Sequence, residues 1–165
     1  MPPQGFDEVD ALVEAWRRER DDLDLAPVEV FSRISRLARL LDLARRDAFT
    51  AQAIEPWEFD VLAALRRAGA PYQLSPGQLL RETMVTSGTM TNRIDRLSER
   101  GLVERQADPH DRRGVLVCLT SAGKDAVDGA FETLLASERD LLGELSGSER
   151  KSLAELLKRL MQPLR

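Results

Sequence analysis

The sequence contains few of the residues from which disulfides, metal sites and nucleophilic active sites are built. Among its 165 residues there is one cysteine, Cys118, and one histidine, His110. A single cysteine excludes a disulfide within the chain, and neither residue has the companion ligands of a zinc site. A glycine-rich phosphate loop and a spaced Ser/His/Asp or Cys/His set are also missing. We therefore expect no catalytic residues, no metal and no cofactor.

Long apolar runs are missing as well. No stretch approaches the roughly 20 apolar residues that a membrane-spanning helix needs. The first ten residues lack the basic and apolar regions of a secretion signal. The expected location is the cytoplasm, without a membrane partner. In that setting Cys118 is expected to be a small apolar filler on a strand and not an oxidant sensor.

The chain also lacks an excess of positive charge, with a formal net charge of −4. This balance argues against a general nucleic-acid coat, although a sequence-specific binder depends on the field near the DNA and not on the total. Residues 1–26 hold eight acids and three arginines, whereas residues 81–113 hold six acids and seven arginines. The charge pattern thus permits DNA binding by the second region without requiring it.

Apolar residues recur at helical spacing along most of the chain. We predict helices over residues 7–22, 27–50, 56–68, 76–82 and 86–100, from Thr120 for about twenty residues, and from Ser146 onward. Capping boxes at Ser75 and Ser146 and a glycine stop at Gly101 support these boundaries. Residues 69–74 are expected to form a loop. The apolar stripe of residues 27–50 is wider than one neighbouring helix would need.

Residues 86–119 carry a different pattern. Small hydroxyl and amide side chains crowd the start of a short helix, namely Thr86, Ser87, Thr89, Thr91 and Asn92. Such side chains suit a helix whose N-terminal end lies in the DNA major groove. After the helix, two strand-like runs, 102–106 and 114–119, enclose the sequence DPHDRR, which is typical of a hairpin tip. The arrangement predicts a winged helix-turn-helix.

Residues 74–124 resemble the MarR family of transcriptional regulators. The resemblance rests on the recognition helix that runs into RGLVER, on the DxxDRR wing and on the LTSAGK start of the next helix. The flanking helices extend it over nearly the whole chain. It implies a mostly α-helical homodimer with a β wing. It divides the chain into an N-terminal extension helix (1–26), a long helix of the dimer interface (27–55), a winged helix-turn-helix lobe (56–120) and C-terminal dimerisation helices (121–165).

Two groups of residues are expected to contact double-stranded DNA. In the helix-turn-helix they are Ser75, Thr86, Ser87, Thr89, Asn92, Arg93 and Arg96, and in the wing they are His110, Asp111, Arg112 and Arg113. The resemblance implies that Arg112 or Arg113 enters the minor groove and that Asp111 braces an arginine. The other interpretation of the wing is a solvated tip that binds nothing. A dimer would bind a pseudo-palindrome with half-sites about 10 bp apart.

A second set of four residues, Trp16, Asp60, Arg105 and again Arg93, resembles the effector site of the urate-responsive branch of the family, which includes the HucR and PecS types. The resemblance implies that Trp16 stacks on a flat anion, that both arginines meet its charge, and that Asp60 binds a ring N–H or is repelled. Each residue also has a simpler interpretation: Trp16 as a core anchor, Asp60 as a helix-start acid, Arg93 as a phosphate contact, and Arg105 as the partner of an acid across the wing.

The sequence thus predicts a homodimeric repressor whose operator affinity is lowered by a small aromatic anion such as urate. Three alternatives remain open. The effector could be a phenolic carboxylate, in a regulator of aromatic-acid catabolism or efflux. A DNA binder could have lost its effector site. A dimerisation module that binds no DNA would also carry the terminal helices.

Overall fold

The computed structural model describes residues 5–109, 111 and 114–162, and these are mostly helical. In chain order the elements are α1 (Glu8–Glu19), α2 (Ala26–Thr50), α3 (Pro56–Arg67), β1 (Gln73–Leu74), α4 (Pro76–Thr83), α5 (Ser87–Glu99), β2 (Val103–Ala107), β3 (Val115–Leu119), α6 (Ser121–Leu141) and α7 (Gly147–Met161). The chain forms two compact units, Met1–Leu43 and Ala44–Arg165, so that the boundary falls within α2. The predicted mostly helical winged fold is confirmed.

The first unit consists of α1 and the larger part of α2. Asp7 caps α1 by accepting hydrogen bonds from the backbone N–H groups of Val9 and Asp10. Arg33 on α2 donates to Asp7 at 2.8 Å and to Asp10 at 2.7 Å. The hydrogen bond from Arg33 lowers the pKa of Asp7 to about 2. The N-terminal helix is therefore tied to α2 by charge-assisted hydrogen bonds as well as by a small apolar cluster around Val13.

The second unit is built around α3, which is apolar on most of its surface. Its buried residues pack with side chains from the end of α2, from α4 to α6 and from the sheet, which include Phe49, Leu79, Met90, Ile94, Leu97, Val117, Val127 and Leu134. The rings of Phe49 and Phe59 stack with centroids 4.3 Å apart. Each such side chain contributes about 1.5–3 kcal/mol when fully buried. The core thus holds the helix-turn-helix and the base of the wing together.

The sheet has three antiparallel strands in the order β1-β3-β2. In β2, Arg105 lies opposite Val117, and in β1, Leu74 lies opposite the same residue. The prediction that residues 69–74 form a loop is therefore wrong at its end, where Gln73–Leu74 pairs with β3. Two residues carry no detectable alternation, so this strand depends on the free edge of β3 and not on its own sequence.

Local chemistry sets most helix boundaries where the sequence places them. Ser75 and Ser146 form the predicted capping boxes, and the hydroxyl of Thr120 accepts from the N–H of Gly123 at 3.0 Å. Gly101 has a φ of +68°, a left-handed conformation that stops α5 at low cost only for glycine. The first helix ends at Glu19, three residues before the predicted end.

Two helices present apolar side chains to solvent. Helix α7 buries no residue, and Leu156, Leu157, Leu160 and Met161 are exposed along it. In the first unit, Val30, Phe31 and Leu37 of the predicted wide stripe of α2 are likewise exposed, as are Leu40 and Leu43 beside it. Among the described residues, no helix combines the length and the apolar character needed to cross a membrane.

Candidate nucleic-acid interface and effector site

Helices α4 and α5 form the helix-turn-helix, joined by a turn of three residues. Met84 ends α4 in the left-handed conformation, with φ of 53°, and its side chain is 91% exposed. The hydroxyl of Thr86 then caps α5 by accepting from the N–H of Thr89. Helix α5 buries Met90, Ile94 and Leu97, and this packing turns its remaining faces outward. The second helix of the motif is therefore anchored along one side and open along the others.

The small polar side chains that were predicted to read DNA lie together on the exposed surface of α5. Ser87, Thr89 and Asn92 are all exposed. The hydroxyl groups of Thr86 and Thr89 lie 2.9 Å apart and bond each other. The Ser87 hydroxyl and the Asn92 amide make no side-chain hydrogen bond within the described residues. Both groups are thus available to base edges or phosphates, as major-groove reading requires.

Ser75 occupies a different environment. It is partly buried at the start of α4, and its hydroxyl accepts from the N–H of Gln78 at 3.3 Å. Its predicted DNA contact would have to coexist with this capping role. A helix N-terminus presents backbone N–H groups that favour a phosphate, so the two roles are compatible.

The two predicted arginines of α5 lie against the start of α3. The guanidinium of Arg93 lies 5.5 Å from the ring centroid of Trp57, and that of Arg96 lies 4.7 Å from it. Arg96 also approaches the carboxylate of Glu55 at 3.5 Å. In this structure the aromatic ring beside Arg93 is therefore Trp57, a residue that the sequence did not single out.

A buried carboxylate completes this contact between α3 and α5. Glu58 is 1% exposed, and its side chain accepts from the backbone N–H of Glu55 at 2.8 Å and from the guanidinium of Arg100. Arg100 follows α5 directly and also donates to the carbonyl of Ala53 at 2.6 Å. The spacing of the arginines at 93, 96 and 100, which places them on one side of a helix, was the signal that could have revealed this set.

The tip of the wing is closed by backbone hydrogen bonds. The N–H of Asp108 donates to the carbonyl of Gly114 at 3.0 Å, and the N–H of Gly114 donates to the carbonyl of Asp111 at 2.8 Å. A side chain at Gly114 would place its Cβ 2.9 Å from the Cβ of Asp108, so only glycine fits. Asp111 is exposed, whereas the predicted contacts His110, Arg112 and Arg113 lie outside the described residues.

The acidic and basic members of the predicted effector site each have a partner. Asp60 on α3 pairs with Arg45 at 3.1 Å. Arg105 on β2 pairs with Asp95 of α5 at 2.6 Å. The acidic partner of Arg105 therefore lies on the recognition helix and not on the opposite strand of the wing. Within the described residues, no ion pair joins Asp60 to Arg93 or to Arg105. An effector would therefore have to exchange these partners for its own groups.

Trp16 belongs to the first unit and is 48% exposed. A shallow recess on α1 runs beside it along Leu12, Ala15 and Glu19. A side chain this exposed is not a core anchor, so the simpler interpretation of Trp16 is wrong. The indole face is instead accessible to a flat molecule.

A cavity of about 320 Å³ lies between α3 and α6. Its lining combines apolar side chains with charged ones at the rim, namely Phe59, Ala63, Arg66, Arg67, Val127, Asp128 and Phe131. Arg66 pairs with Asp128 at 2.8 Å, and Lys124 pairs with the same carboxylate at 3.1 Å. These hydrogen bonds, chiefly that of Arg66, lower the pKa of Asp128. The lining thus offers two cations, Arg66 and Arg67, and one anion, Asp128, which suits a flat apolar molecule that carries a negative group.

The remaining reactive residue, Cys118, lies buried on β3. Its thiol contacts the amide oxygen of Gln73 at 3.7 Å, and burial raises the pKa of the thiol. A raised pKa lowers the fraction of the reactive thiolate, so the environment suits the predicted filler role. In the part of the chain that the structure describes, no three His, Cys, Asp or Glu residues are grouped to hold a metal ion.

Three comparisons with known proteins agree with this geometry. A sequence model of the MarR family matches residues 54–114. The chain is 39% identical over 157 residues to the HTH-type transcriptional regulator PecS of Dickeya dadantii (strain 3937), with 95% of each chain covered. It is similar, at 26% identity and a TM-score of 0.66, to a cysteine-to-serine mutant of MarR from E. coli complexed with operator DNA, with 86% of this chain and 96% of that one covered.

A further solved structure is similar in the same way. It is BpsR of Bordetella bronchiseptica, whose DNA binding is regulated by 6-hydroxynicotinic acid. The identity is 27% and the TM-score is 0.58, with 79% of this chain and 99% of that one covered.

Proposed function

Because the chain belongs to the MarR family of DNA-binding transcriptional regulators, we propose that it is a homodimeric repressor that releases a pseudo-palindromic operator when it binds a small aromatic anion. The prediction of a regulator, and not of an enzyme, is confirmed by these relatives. The observation that carries the proposal is the exposed polar surface of α5, anchored from behind by the core of the second unit.

The proposed reading surface consists of Ser87, Thr89 and Asn92, with Thr86 and Ser75 at the two helix starts. Hydroxyl and amide groups there would meet base edges and phosphates, and the threonine methyl groups would meet thymine. The wing residues His110, Asp111, Arg112 and Arg113 would add contacts in and beside the minor groove. A neighbour of similar fold, the MarR mutant from E. coli, was solved in complex with operator DNA, which supports a DNA-binding role for the chain.

The proposed dimer is supported by the exposed apolar side chains of α7. Leu156 is 58% exposed and Met161 is 56% exposed, although both lie in the apolar stripe of a helix. An exposed apolar stripe of this kind is typical of a protein–protein interaction surface. A second copy of the chain would cover it and would place two α5 helices in neighbouring major grooves, about one helical turn of DNA apart.

The proposed effector is urate or a similar anionic purine, bound by Trp16, Asp60, Arg93 and Arg105. Two observations support it. The indole of Trp16 is accessible, and both arginines are connected to α5, since Arg93 lies on it and Arg105 pairs with its Asp95. An anion that binds either guanidinium would replace a contact that positions α5. It would shift the equilibrium between the DNA-binding and the DNA-releasing conformation only if it binds the second more tightly. The similarity to PecS agrees with the branch that the sequence resembles.

A second effector class is supported by the cavity between α3 and α6. Phe59 and Phe131 offer apolar walls, and Arg66 and Arg67, the two cations of the lining, offer positive charge for a carboxylate. The ring centroids of the two phenylalanines lie 6.4 Å apart. A phenolic or pyridine carboxylate would suit this cavity, and BpsR, which responds to 6-hydroxynicotinic acid, is a relative of similar fold.

Thermal unfolding with a panel of ligands separates the two effector classes. A ligand that binds the native state raises the unfolding midpoint by mass action. A rise with urate, and not with salicylate, protocatechuate or 6-hydroxynicotinate, that disappears in Trp16→Ala and Arg93→Ala would support the purine site. A rise with the carboxylates alone that disappears in Phe131→Ala would move the effector to the cavity. If no compound raises the midpoint, both effector proposals fail while the DNA-binding function stands.

A further inference from the structure

Two arginines of α5, Arg93 and Arg96, and Arg100 directly after it are held by residues at the start of α3. Arg93, Arg96 and Arg100 are spaced at i, i+3 and i+7, which places them along one stripe of the helix. Opposite this stripe lie Glu55, Trp57 and Glu58, which we call the α3 clamp. Every arginine of the stripe contacts at least one member of the clamp. The C-terminal half of the recognition helix is thus held by a segment that lies more than thirty residues earlier in the chain.

Trp57 is the centre of the clamp. Its ring lies under the guanidinium groups of both Arg93 and Arg96, and its indole N–H donates to the carboxylate of Glu55. The same carboxylate group pairs with Arg96 at 3.5 Å. Trp57 is also packed against the main core of the second unit. A guanidinium that lies over an aromatic ring and meets a carboxylate at its edge has a restricted orientation.

The C-terminal end of the arginine stripe is fixed by the ion pair between Glu58 and Arg100. The Glu58 carboxylate is 1% exposed and is itself held by the backbone N–H of Glu55. Arg100 makes a second hydrogen bond, to the carbonyl of Ala53 at 2.6 Å. A desolvated carboxylate cannot lose its cation without a large penalty, so this pair tolerates little displacement of the C-terminal end of α5.

We propose that Trp57 is a positioning residue for DNA recognition, which together with Glu55 and Glu58 sets the rotation and tilt of α5. In this role Arg93 and Arg96 act on operator affinity through the orientation of the helix that carries Ser87, Thr89 and Asn92. The inference rests on the proposed contact of α5 with DNA and does not depend on the effector. It assigns a function in specificity to Glu55, Trp57 and Glu58, which are not among the predicted DNA contacts.

A positioning role has a consequence that a purely structural role lacks. Non-specific binding arises from phosphate contacts and charge, which tolerate small changes in the angle of a helix. Base reading needs each side chain aligned with one base edge, because phosphate contacts carry no sequence information. Loss of the clamp should therefore reduce affinity for the chosen DNA sequence and leave affinity for other sequences nearly unchanged.

The test compares two DNA duplexes of equal length and composition. The first is selected by the unaltered protein from a random pool, and the second is a shuffled version of it. For Trp57→Leu we expect affinity for the selected duplex to fall about 10-fold or more, the size of the effect of one mismatched base pair, and affinity for the shuffled duplex to change by less than about twofold. Trp57→Phe keeps the ring face without the indole N–H and should recover most of the discrimination.

A matched control is provided by Tyr72, whose ring lies 5.0 Å from the guanidinium of Arg66 in the same unit. Tyr72→Leu removes the same kind of contact away from α5, so it should lower the unfolding midpoint without changing the ratio of the two affinities. If Trp57→Leu does not fold, Trp57→Phe, Arg96→Met and their combination carry the test. Positioning predicts that the combined loss of affinity equals the larger single loss, because both residues act through one contact.

Four results would overturn the inference. Equal losses of affinity on both duplexes in Trp57→Leu would show a structural role alone, and no loss on either would show no role. Additive losses in the combination of Trp57→Phe and Arg96→Met would show that Arg96 acts on DNA independently of the clamp. An unaltered protein that does not discriminate between the duplexes would overturn the proposed operator binding together with this inference.

Discussion

Helices α3 and α7 lie in the same compact unit, yet they differ completely in what they bury. Seven residues of α3 are buried, among them Phe59, Leu62 and Leu65, whereas α7 buries none. Both helices carry apolar stripes, so the difference lies in the neighbours and not in the composition. The winged helix-turn-helix lobe of residues 56–120, which we call the reading lobe, buries most of its apolar side chains within one chain. The C-terminal helix leaves its apolar stripe exposed, and we place the proposed dimer interface there because of this contrast.

The largest effect is expected from a substitution in the core around α3. Leu62 is fully buried at the centre of α3, so Leu62→Ala would leave a cavity in the core. We expect a loss of about 2–5 kcal/mol in the free energy of unfolding. Urea unfolding at two protein concentrations measures it, and the loss should be the same at both. A loss below about 0.5 kcal/mol would mean that the lobe is not packed as described.

The proposed dimer interface is tested by placing charge on the exposed apolar stripe of α7. Leu156→Asp combined with Leu160→Asp should convert a dimer into monomers, because the charges would have to be buried in the interface. Operator affinity should then fall about 100-fold or more, because the two helix-turn-helix lobes are no longer linked in one dimer and lose bivalent binding. Analytical ultracentrifugation and DNA titration measure the two effects.

A control for charge is available on the same helix. Lys151→Asp changes the net charge by the same amount, and Lys151 lies on the opposite side of α7 from Leu156 and Leu160. It should leave the oligomeric state unchanged. If the leucine variant remains a dimer with undiminished operator affinity, the interface lies elsewhere.

A smaller effect is expected from the wing of the reading lobe. Arg112→Ala combined with Arg113→Ala should lower DNA affinity about 10-fold and reduce the slope of its salt dependence by about 2, because each arginine is expected to neutralise about one phosphate. Arg17→Ala combined with Arg18→Ala removes two exposed arginines from α1 and serves as the matched control. An unchanged affinity in the wing variant, with the control also unchanged, would favour the solvated tip that binds nothing.

The smallest effect concerns the tie between α1 and α2 in the first unit. The pKa of Asp7 is lowered to about 2 in the folded state by the hydrogen bond from Arg33. A lowered pKa means that the stabilisation is fully present above the ordinary value near 3.8 and is lost as the pH falls through about 2. Asp7→Asn should therefore speed hydrogen exchange in α1 at pH 6, and the difference from the unaltered protein should vanish near pH 2. A difference that persists there would show that the ion pair is not its cause.

Much of the reading lobe could be predicted because its signals are local. Ser75, Thr120 and Ser146 identify helix starts through hydrogen bonds that span three residues, and Gly101 identifies a helix end through its own conformation. The exposed positions of Ser87, Thr89 and Asn92 follow from the spacing of Met90, Ile94 and Leu97 on the buried side. These features depend on the helix alone, so its sequence is sufficient.

The contacts that sequence reasoning missed depend on packing between distant segments. Trp57 meets Arg93 and Arg96, and Glu58 meets Arg100, across about forty residues of sequence. The resemblance to the urate-responsive branch directed attention to Trp16 as the aromatic residue that acts with Arg93, whereas the ring beside Arg93 is that of Trp57. Strand β1 was missed for the same reason, because its pairing is supplied by β3. The predicted effector residues stay a prediction.

The central claim is that a dimer of this chain reads a defined DNA sequence through two copies of α5. Selection of bound duplexes from a random pool, followed by sequencing, tests it most directly. We expect enrichment of a pseudo-palindrome whose half-sites are about 10 bp apart, bound by two chains per duplex. Enrichment of a single half-site without symmetry, or no enrichment over the starting pool, would contradict it.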